Sequence, residues 1–188
     1  MRCAIIEKTS RIIQELLENE KSYIDCMKRG IEDYIVAYDS AVNLPNTLIG
    51  KRRNIFSNIE RIFRFHDSIF LPKLVQCDFD PEKIACAFTS SIDAFDFDIY
   101  MIYVLNRKKS ESICREHKEF FDDLQKDLLG INSFLIQPIQ RLPRYQLMLG
   151  EIVNNLMKDL DEHKAAIAAL CVAEKNIQRL LNSINEYC

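Results

Sequence analysis

Apolar residues recur at every third or fourth position along most of the chain, which is the spacing of one face of an α-helix. The first such stripe predicts a helix from about Thr9 to Tyr38, with Thr9 or Ser10 available to cap its start. Glu20 breaks the stripe, because it lies four residues after Leu16, where another apolar residue is expected. The other members of the stripe are Ile13, Leu17, Tyr23, Ile24, Met27, Ile31, Tyr34 and Ile35.

The same period predicts five further helices, and no alternating strand pattern persists between them. Pro81 follows a turn at Asp78–Asp80 and suits the first position of a helix. Pro143 falls inside a predicted helix, where it should introduce a kink. We expect a single all-α domain over residues 1–188, an elongated bundle of about six long helices. The further predicted helices span about 51–74, 81–105, 112–128, 133–156 and 161–187.

Composition agrees with a helical domain and excludes several classes of protein. Four glycines and five prolines among 188 residues are too few for a many-stranded β-fold. A formal net charge of -3 lacks the basic excess of a general nucleic-acid binder, so no nucleic-acid partner is expected. The apolar run Ile99–Leu105 is far shorter than the roughly 20 residues of a membrane-spanning helix. Seven widely spaced cysteines without a CxxC pair indicate free thiols in a reducing compartment.

Motifs for covalent or cofactor chemistry are missing from the sequence. It contains neither GxGxxG nor HExxH, and Gly50-Lys51 lacks the upstream glycine of a phosphate loop. The three histidines are isolated by spacing, so neither a metal nor a cofactor is expected. His66 lies on an apolar face, which is typical of a hydrogen-bonded core histidine. The other two histidines are His117 and His163.

One predicted helix carries a second face beside its core face. Gln140, Arg144 and Leu147 follow Ile136 at helical spacing, and Arg141 lies next to them. Such a mixture of polar, basic and exposed apolar side chains favours a protein interface. The alternative is an ordinary ion pair between two helices, formed by Glu20 and Arg144.

Three segments resemble the Dbl-homology domain, the exchange-factor module for Rho-family GTPases. They are Ile13–Ile24 with its Glu three residues before a Tyr, Asn54–His66, and Ser133–Leu149, the last being the family's most specific signature. Phe95–Asn106 and Ile184–Glu186 also fit, so the resemblance extends over nearly the whole chain. The Asp-Pro-Glu in the middle segment is most similar to the Trio, Dbs and puratrophin branch.

The resemblance implies a flattened helical bundle that binds a nucleotide-depleted GTPase and promotes GDP release without covalent chemistry. Glu20 matches the family's Glu that engages switch I. Arg144 matches a basic position that contacts switch II, and Asn185 matches a polar position near the end of the last helix that also meets switch II. The same surface is expected to include Gln140, Arg141 and Leu147.

The resemblance also implies which Rho-family GTPase this domain prefers. An Ile at the position of Ile136 favours Rac, with Cdc-type and Rho GTPases left open. Ser133 and Leu129 are expected to border the same pocket. The family's domain is normally followed by a pleckstrin-homology domain, which this chain lacks. We therefore expect a cytoplasmic domain whose membrane contact comes only through flanking domains.

The same helical pattern is compatible with a different class of function. In this alternative, the domain is a helical scaffold that binds a GTPase or another partner without promoting nucleotide release. The presence of Glu20, Arg144 and Asn185 argues against this alternative. A spectrin-like structural bundle does not explain the face from Gln140 to Leu147.

Overall fold

The computed structural model describes residues 2–124 and 130–186, and every regular element in those two ranges is helical. Helix α1 (Arg2–Gly30) leads into a π-helical segment (Ile31–Val36) and a short final turn, α2 (Ala37–Asp39). A second π-helical segment, His66–Phe70, joins α4 to α5. The remaining helices are α3 (Arg52–Phe56), α4 (Ile59–Phe65), α5 (Leu71–Val75), α6 (Pro81–Asp93), α7 (Ile99–Glu116), α8 (Lys118–Leu124), α9 (Gly130–Leu156) and α10 (Leu160–Asn185).

The first helix begins earlier than its apolar stripe predicts. It starts at Arg2, so Thr9 lies inside the helix and not at its N-terminus, and the predicted cap is wrong. Thr9 is buried, and its hydroxyl accepts a hydrogen bond of 3.0 Å from Asn155 Nδ2. A polar residue that looked like a helix start is therefore a contact between α1 and α9.

Two predicted helices are interrupted by residues with positive φ. Ser57 (φ 50°) separates α3 from α4, and Phe95 (φ 59°) lies between α6 and α7. Neither residue can continue a right-handed helix in this conformation. Neither position holds the Gly that usually marks such a break, so the sequence pattern missed both.

The polar segment 106–112, in contrast, does not end a helix as we expected. Helix α7 runs through it because two of its polar side chains bond to the backbone of α3. Asn106 Nδ2 donates to Asn54 O (2.8 Å), and Ser110 Oγ donates to Ile55 O (2.6 Å). The start of α6 is as predicted, since Pro81 opens the helix and Asp80 accepts hydrogen bonds from the next two amide groups.

Helix α9 lies between α1 and α10, antiparallel to both. Asn155 Nδ2 donates to Ile5 O (2.9 Å) at one end of the α1 contact, and the Phe134 ring covers Gly30 at the other. The helix is unbroken through Pro138, which is buried, and Pro143, which is exposed. One face of α9 therefore packs into the core while the other faces outward between its two neighbours.

Within residues 2–124 and 130–186, none of the helices combines the length and hydropathy that a membrane crossing requires. The six cysteines in those ranges are free.

Candidate functional site

A buried group of charged and polar side chains joins α1 to α9. Glu20 is 0% exposed, and its carboxylate accepts hydrogen bonds from the Arg141 guanidinium, from Tyr145 Oη (2.5 Å) and from His66 Nδ1 (2.6 Å). His66 Nε2 lies 2.7 Å from Tyr100 Oη. We call these five residues, Glu20, His66, Tyr100, Arg141 and Tyr145, the polar cluster.

Both ring nitrogens of His66 have hydrogen-bond partners in the polar cluster. A carboxylate can only accept, so the proton in the contact with Glu20 is on Nδ1 of the imidazole. Nε2 lies within hydrogen-bond distance of the Tyr100 hydroxyl, so both ring nitrogens have partners inside the core. His66 is 0% exposed, so the prediction of a hydrogen-bonded core histidine is confirmed.

Arg141 is held by aromatic faces as well as by its carboxylate. Its guanidinium carbon lies 5.1 Å from the centre of the Tyr23 ring and 4.5 Å from that of Tyr145. Cation–π contacts of this kind are strongest where water is excluded. Arg141 Nε has no hydrogen-bond partner within the described part of the chain. The ion pair with Glu20 is therefore the main interaction that offsets the cost of burying the Arg141 charge.

The electrostatics of the polar cluster favour an ionised Glu20. Burial by itself raises the pKa of the carboxyl group, but the interactions with His66, Arg141 and Tyr145 outweigh it and lower the pKa to about 2. Burial and the charge of Glu20 raise the pKa of Tyr145 well above its ordinary value. Tyr145 therefore keeps its proton and remains a donor to the carboxylate.

These positions correct two predictions. Glu20 and Arg141 are buried, at 0% and 3% exposure, so neither presents its side chain to a partner as predicted. The ion pair that forms is Glu20 with Arg141, and not Glu20 with Arg144. The reason is helical periodicity, since Arg141 and Tyr145 are one turn apart on the inner face of α9 and Arg144 is not on that face.

The remaining predicted contact residues of α9 lie on the outside of the helix. Gln140, Arg144 and Leu147 are exposed, and 74% of Leu147 is accessible to solvent. Single exposed apolar residues are common on protein surfaces, and here Leu147 places an apolar side chain beside the polar groups of Gln140 and Arg144. We call these three residues the outer face of α9.

Asn185 flanks the outer face from α10. The amide of Gln146 donates to that of Gln178, and Gly150 faces Glu174, so the two antiparallel helices pair with a constant register. That register places Asn185, which is exposed, at the level of Ile139. The structure therefore brings together Asn185 and the outer face, which are separate in sequence.

An exposed carboxylate, that of Glu15, lies on the side of α1 that turns towards α9. Glu15 lies on a helical stripe with Asn19, Tyr23 and Gly30, and the last two of these contact α9. Sequence reasoning missed Glu15 because a glutamate outside an apolar stripe resembles any solvated residue. Glu20 drew attention only because it interrupts that stripe.

The predicted specificity residues lie at a cleft near the start of α9. Ser133 and Ile136 are half-buried and line a space of about 890 Å³ that α3, α7 and α8 also border. Its wall carries charges of both signs, because Arg107 is paired with Glu111 and Lys118 with Asp122. Leu129, the third predicted specificity residue, lies outside the described residues.

The described residues contain no group of three or more His, Cys, Asp or Glu side chains placed to hold a metal ion. The polar cluster is enclosed, and the outer face carries no nucleophile paired with a base. The arrangement suits binding of a macromolecule to the exposed residues.

Comparison with known proteins identifies a matching family model and relatives that are about 30% identical. The RhoGEF domain model matches residues 12–185. Human Rho guanine nucleotide exchange factor 25 is 30% identical over 183 residues, covering 94% of this chain and 31% of that protein. Human Proto-oncogene DBL is 31% identical over 185 residues, covering 94% and 19%. The chain thus spans less than a third of the length of these curated relatives.

Solved structures show the same fold. The crystal structure of the DH/PH domains of p115-RhoGEF matches with a TM-score of 0.81 at 16% identity, over 98% of this chain and 56% of that one. A structure of the Vav1 exchange factor matches with a TM-score of 0.79 at 19% identity, over 97% and 50%. The predicted fold, an all-α Dbl-homology bundle, is confirmed.

Proposed function

Because the chain belongs to the RhoGEF domain family, we propose that it promotes the release of GDP from a Rho-family GTPase. The observation that carries this proposal is the family match over residues 12–185, a range that includes the outer face of α9, Asn185 and Glu15. The exposure of these residues on one side of the bundle supports it.

Exchange of this kind requires differential binding and no covalent step. The domain must bind the nucleotide-free GTPase more tightly than the loaded form, because a partner that binds both forms equally shifts no equilibrium. Release that is a thousandfold faster needs about 4 kcal/mol of such preference. Charge-assisted hydrogen bonds around an apolar anchor such as Leu147 can supply an energy of this size.

Within this proposal, the outer face and Asn185 hold switch II of the GTPase. Arg144 presents a planar cation, whereas Gln140 and Asn185 present amides that can donate and accept hydrogen bonds. Leu147 is the apolar contact at the centre of this polar group. Together they would stabilise a form of switch II that disturbs the phosphate and Mg²⁺ site of the GTPase.

The role in holding switch I passes from Glu20 to Glu15. Glu20 is enclosed by three donors, so it could reach a partner only if the polar cluster opened. Glu15 lies on the same helix, is exposed, and borders α9. A carboxylate at this place can accept hydrogen bonds from backbone amides or hydroxyl groups of a partner.

Rac is the favoured substrate, with Cdc-type and Rho GTPases as the other candidates. The support is Ile136, which lines the cleft beside Ser133 and gives it an apolar border. A pocket of this kind discriminates between partner side chains that differ by one or two carbon atoms only modestly. The domain would act in the cytoplasm, with membrane contact provided by flanking domains outside this chain.

Release of fluorescent GDP from purified Rac, Rho and Cdc-type GTPases tests the proposal. We expect acceleration for at least one GTPase, and a loss of most of it in Arg144→Ala. Arg64→Ala is the matched control, because Arg64 is an exposed arginine of α4. Binding of a nucleotide-free GTPase without accelerated release would instead support the scaffold, and neither binding nor release would refute both functions.

A further inference from the structure

The polar cluster adjoins the outer face of α9. Gln140 and Arg144 are each followed in sequence by a member of the cluster, Arg141 and Tyr145 respectively. A helix rotates by about 100° per residue, so the outward pair cannot turn without turning the inward pair. The orientation of the outer face therefore depends on what holds Arg141 and Tyr145.

We propose that the polar cluster positions the outer face of α9 for nucleotide exchange, and that Tyr145 and Glu20 are positioning residues. This inference rests on the proposed function. The carboxylate of Glu20 receives donors from two consecutive turns of α9 and from His66 on a third element. Three directed hydrogen bonds to one carboxylate define both the rotation and the axial position of α9 relative to α1.

Stability alone does not account for this arrangement. A buried ion pair can often be replaced by packed apolar residues without loss of stability, since desolvation offsets much of the attraction between the charges. Apolar packing, however, tolerates small rotations and shifts that a carboxylate with three donors does not. A rotation of α9 would leave Arg141 as an unpaired buried charge.

The other polar contacts of α9 determine the orientation of Gln140 and Arg144 less closely. On the α10 side, the polar contact shown is that between the amides of Gln146 and Gln178, and both residues are only partly buried. Tyr103 of α7 donates to Leu135 O (2.7 Å), five residues before Gln140, and Asn155 bonds to α1 near the far end of α9, almost three turns after Tyr145. The polar cluster is thus the directed contact nearest to Gln140 and Arg144.

A pair of tyrosine variants separates positioning from stability. Tyr145→Phe removes the hydroxyl that donates to Glu20 while the ring remains. Tyr38→Phe is the matched control, since Tyr38 is also buried and its hydroxyl donates to a backbone oxygen, that of Leu48 (2.6 Å). Tyr145→Phe loses a charge-assisted hydrogen bond and Tyr38→Phe a neutral one, so the midpoint of urea denaturation should fall in both variants, and further in Tyr145→Phe.

GDP release at saturating domain concentration is the first measurement. We expect about a tenfold loss of rate in Tyr145→Phe, which corresponds to about 1.4 kcal/mol, and a change within about twofold in Tyr38→Phe. Equal rates in the two folded variants would overturn the inference. If Tyr145→Phe does not fold, Tyr100→Phe replaces it in the same comparison.

Amide hydrogen exchange across residues 140–147 is the second measurement, and it requires no GTPase. We expect these amides to exchange faster in Tyr145→Phe and to be unchanged in Tyr38→Phe. If the wild-type domain releases no GDP, the proposed function fails, but this measurement still decides the positioning role. Unchanged protection of 140–147 in Tyr145→Phe would refute it.

Discussion

Glu20 and Arg141 form a buried ion pair that joins α1 to α9 across 121 positions of sequence. Both residues fall in segments that resemble the family's signature, and both were predicted to contact a partner. Their enclosure instead makes them part of the interior, and we propose that they act on a partner only through the position of α9.

Glu20→Ala should strongly destabilise the domain. It removes the carboxylate and leaves the Arg141 guanidinium buried without its counter-ion, which typically costs about 3–5 kcal/mol. Chemical denaturation measures the free energy of unfolding directly. Glu15→Ala is the control, with a change within about 0.5 kcal/mol, as for most exposed positions. Equal stability of Glu20→Ala and wild type would show that the pair is not enclosed.

Glu15→Ala should impair exchange while leaving the fold intact. If Glu15 engages switch I, its removal should lower the rate of GDP release about tenfold, because a charge-assisted hydrogen bond is lost. Glu18→Ala is the matched control on the same helix, as its carboxylate is exposed and accepts a hydrogen bond from Gln14 Nε2 (2.7 Å). A rate in Glu15→Ala equal to that of Glu18→Ala would remove Glu15 from the proposed surface.

The stability contributed by Glu20 should depend on pH in the acid range. Its pKa is lowered from 4.5 to about 2 in the folded state, so the contribution is complete above about pH 4.5 and is lost as the pH falls towards 2. The loss should amount to about 3 kcal/mol.

Denaturation of wild type and Glu20→Gln across this range measures the effect, since the amide does not titrate. The difference in unfolding free energy between the two proteins should be largest near neutral pH and shrink as the pH decreases. A difference that stays constant from pH 6 to pH 3 would contradict the lowered pKa.

Two glycines in long helices should respond oppositely to substitution by alanine. A Cβ on Gly30 would overlap with the Phe134 ring, so Gly30→Ala should destabilise the domain by about 1–3 kcal/mol through overpacking. A Cβ on Gly150 would come no closer than 3.4 Å, to the Glu174 carboxylate. Gly150→Ala should therefore stabilise the helix by roughly 0.5–1 kcal/mol. Thermal melts of the two variants give the signs, and a stabilising Gly30→Ala would contradict the close contact.

Ile136→Leu should change partner preference and not overall stability. The substitution conserves volume at a half-buried position and alters the shape of the cleft border. We expect the ratio of exchange rates on Rac and Cdc-type GTPases to shift about fivefold towards the Cdc-type protein. Ile69→Leu, at an exposed position of the second π-helical segment, should leave the ratio unchanged. An unchanged ratio in Ile136→Leu would place the specificity determinant elsewhere.

The sequence by itself determined the all-α class, the long helices and the family resemblance. The helical class follows from local physics, because an apolar residue every three or four positions can form a single buried face only in a helix. The outward position of Gln140, Arg144 and Leu147 also followed from spacing along one helix. The breaks at Ser57 and Phe95 did not, since neither position holds the Gly that usually indicates a positive φ.

Only the tertiary structure decided which polar residues face inward. The stripe placed Glu20 among apolar positions, but a buried carboxylate is tolerable only if donors reach it. Those donors come from Arg141, Tyr145 and His66, which lie 46 to 125 positions away. Periodicity reports the face on which a residue lies, whereas the compensation of a buried charge depends on the packing of distant helices.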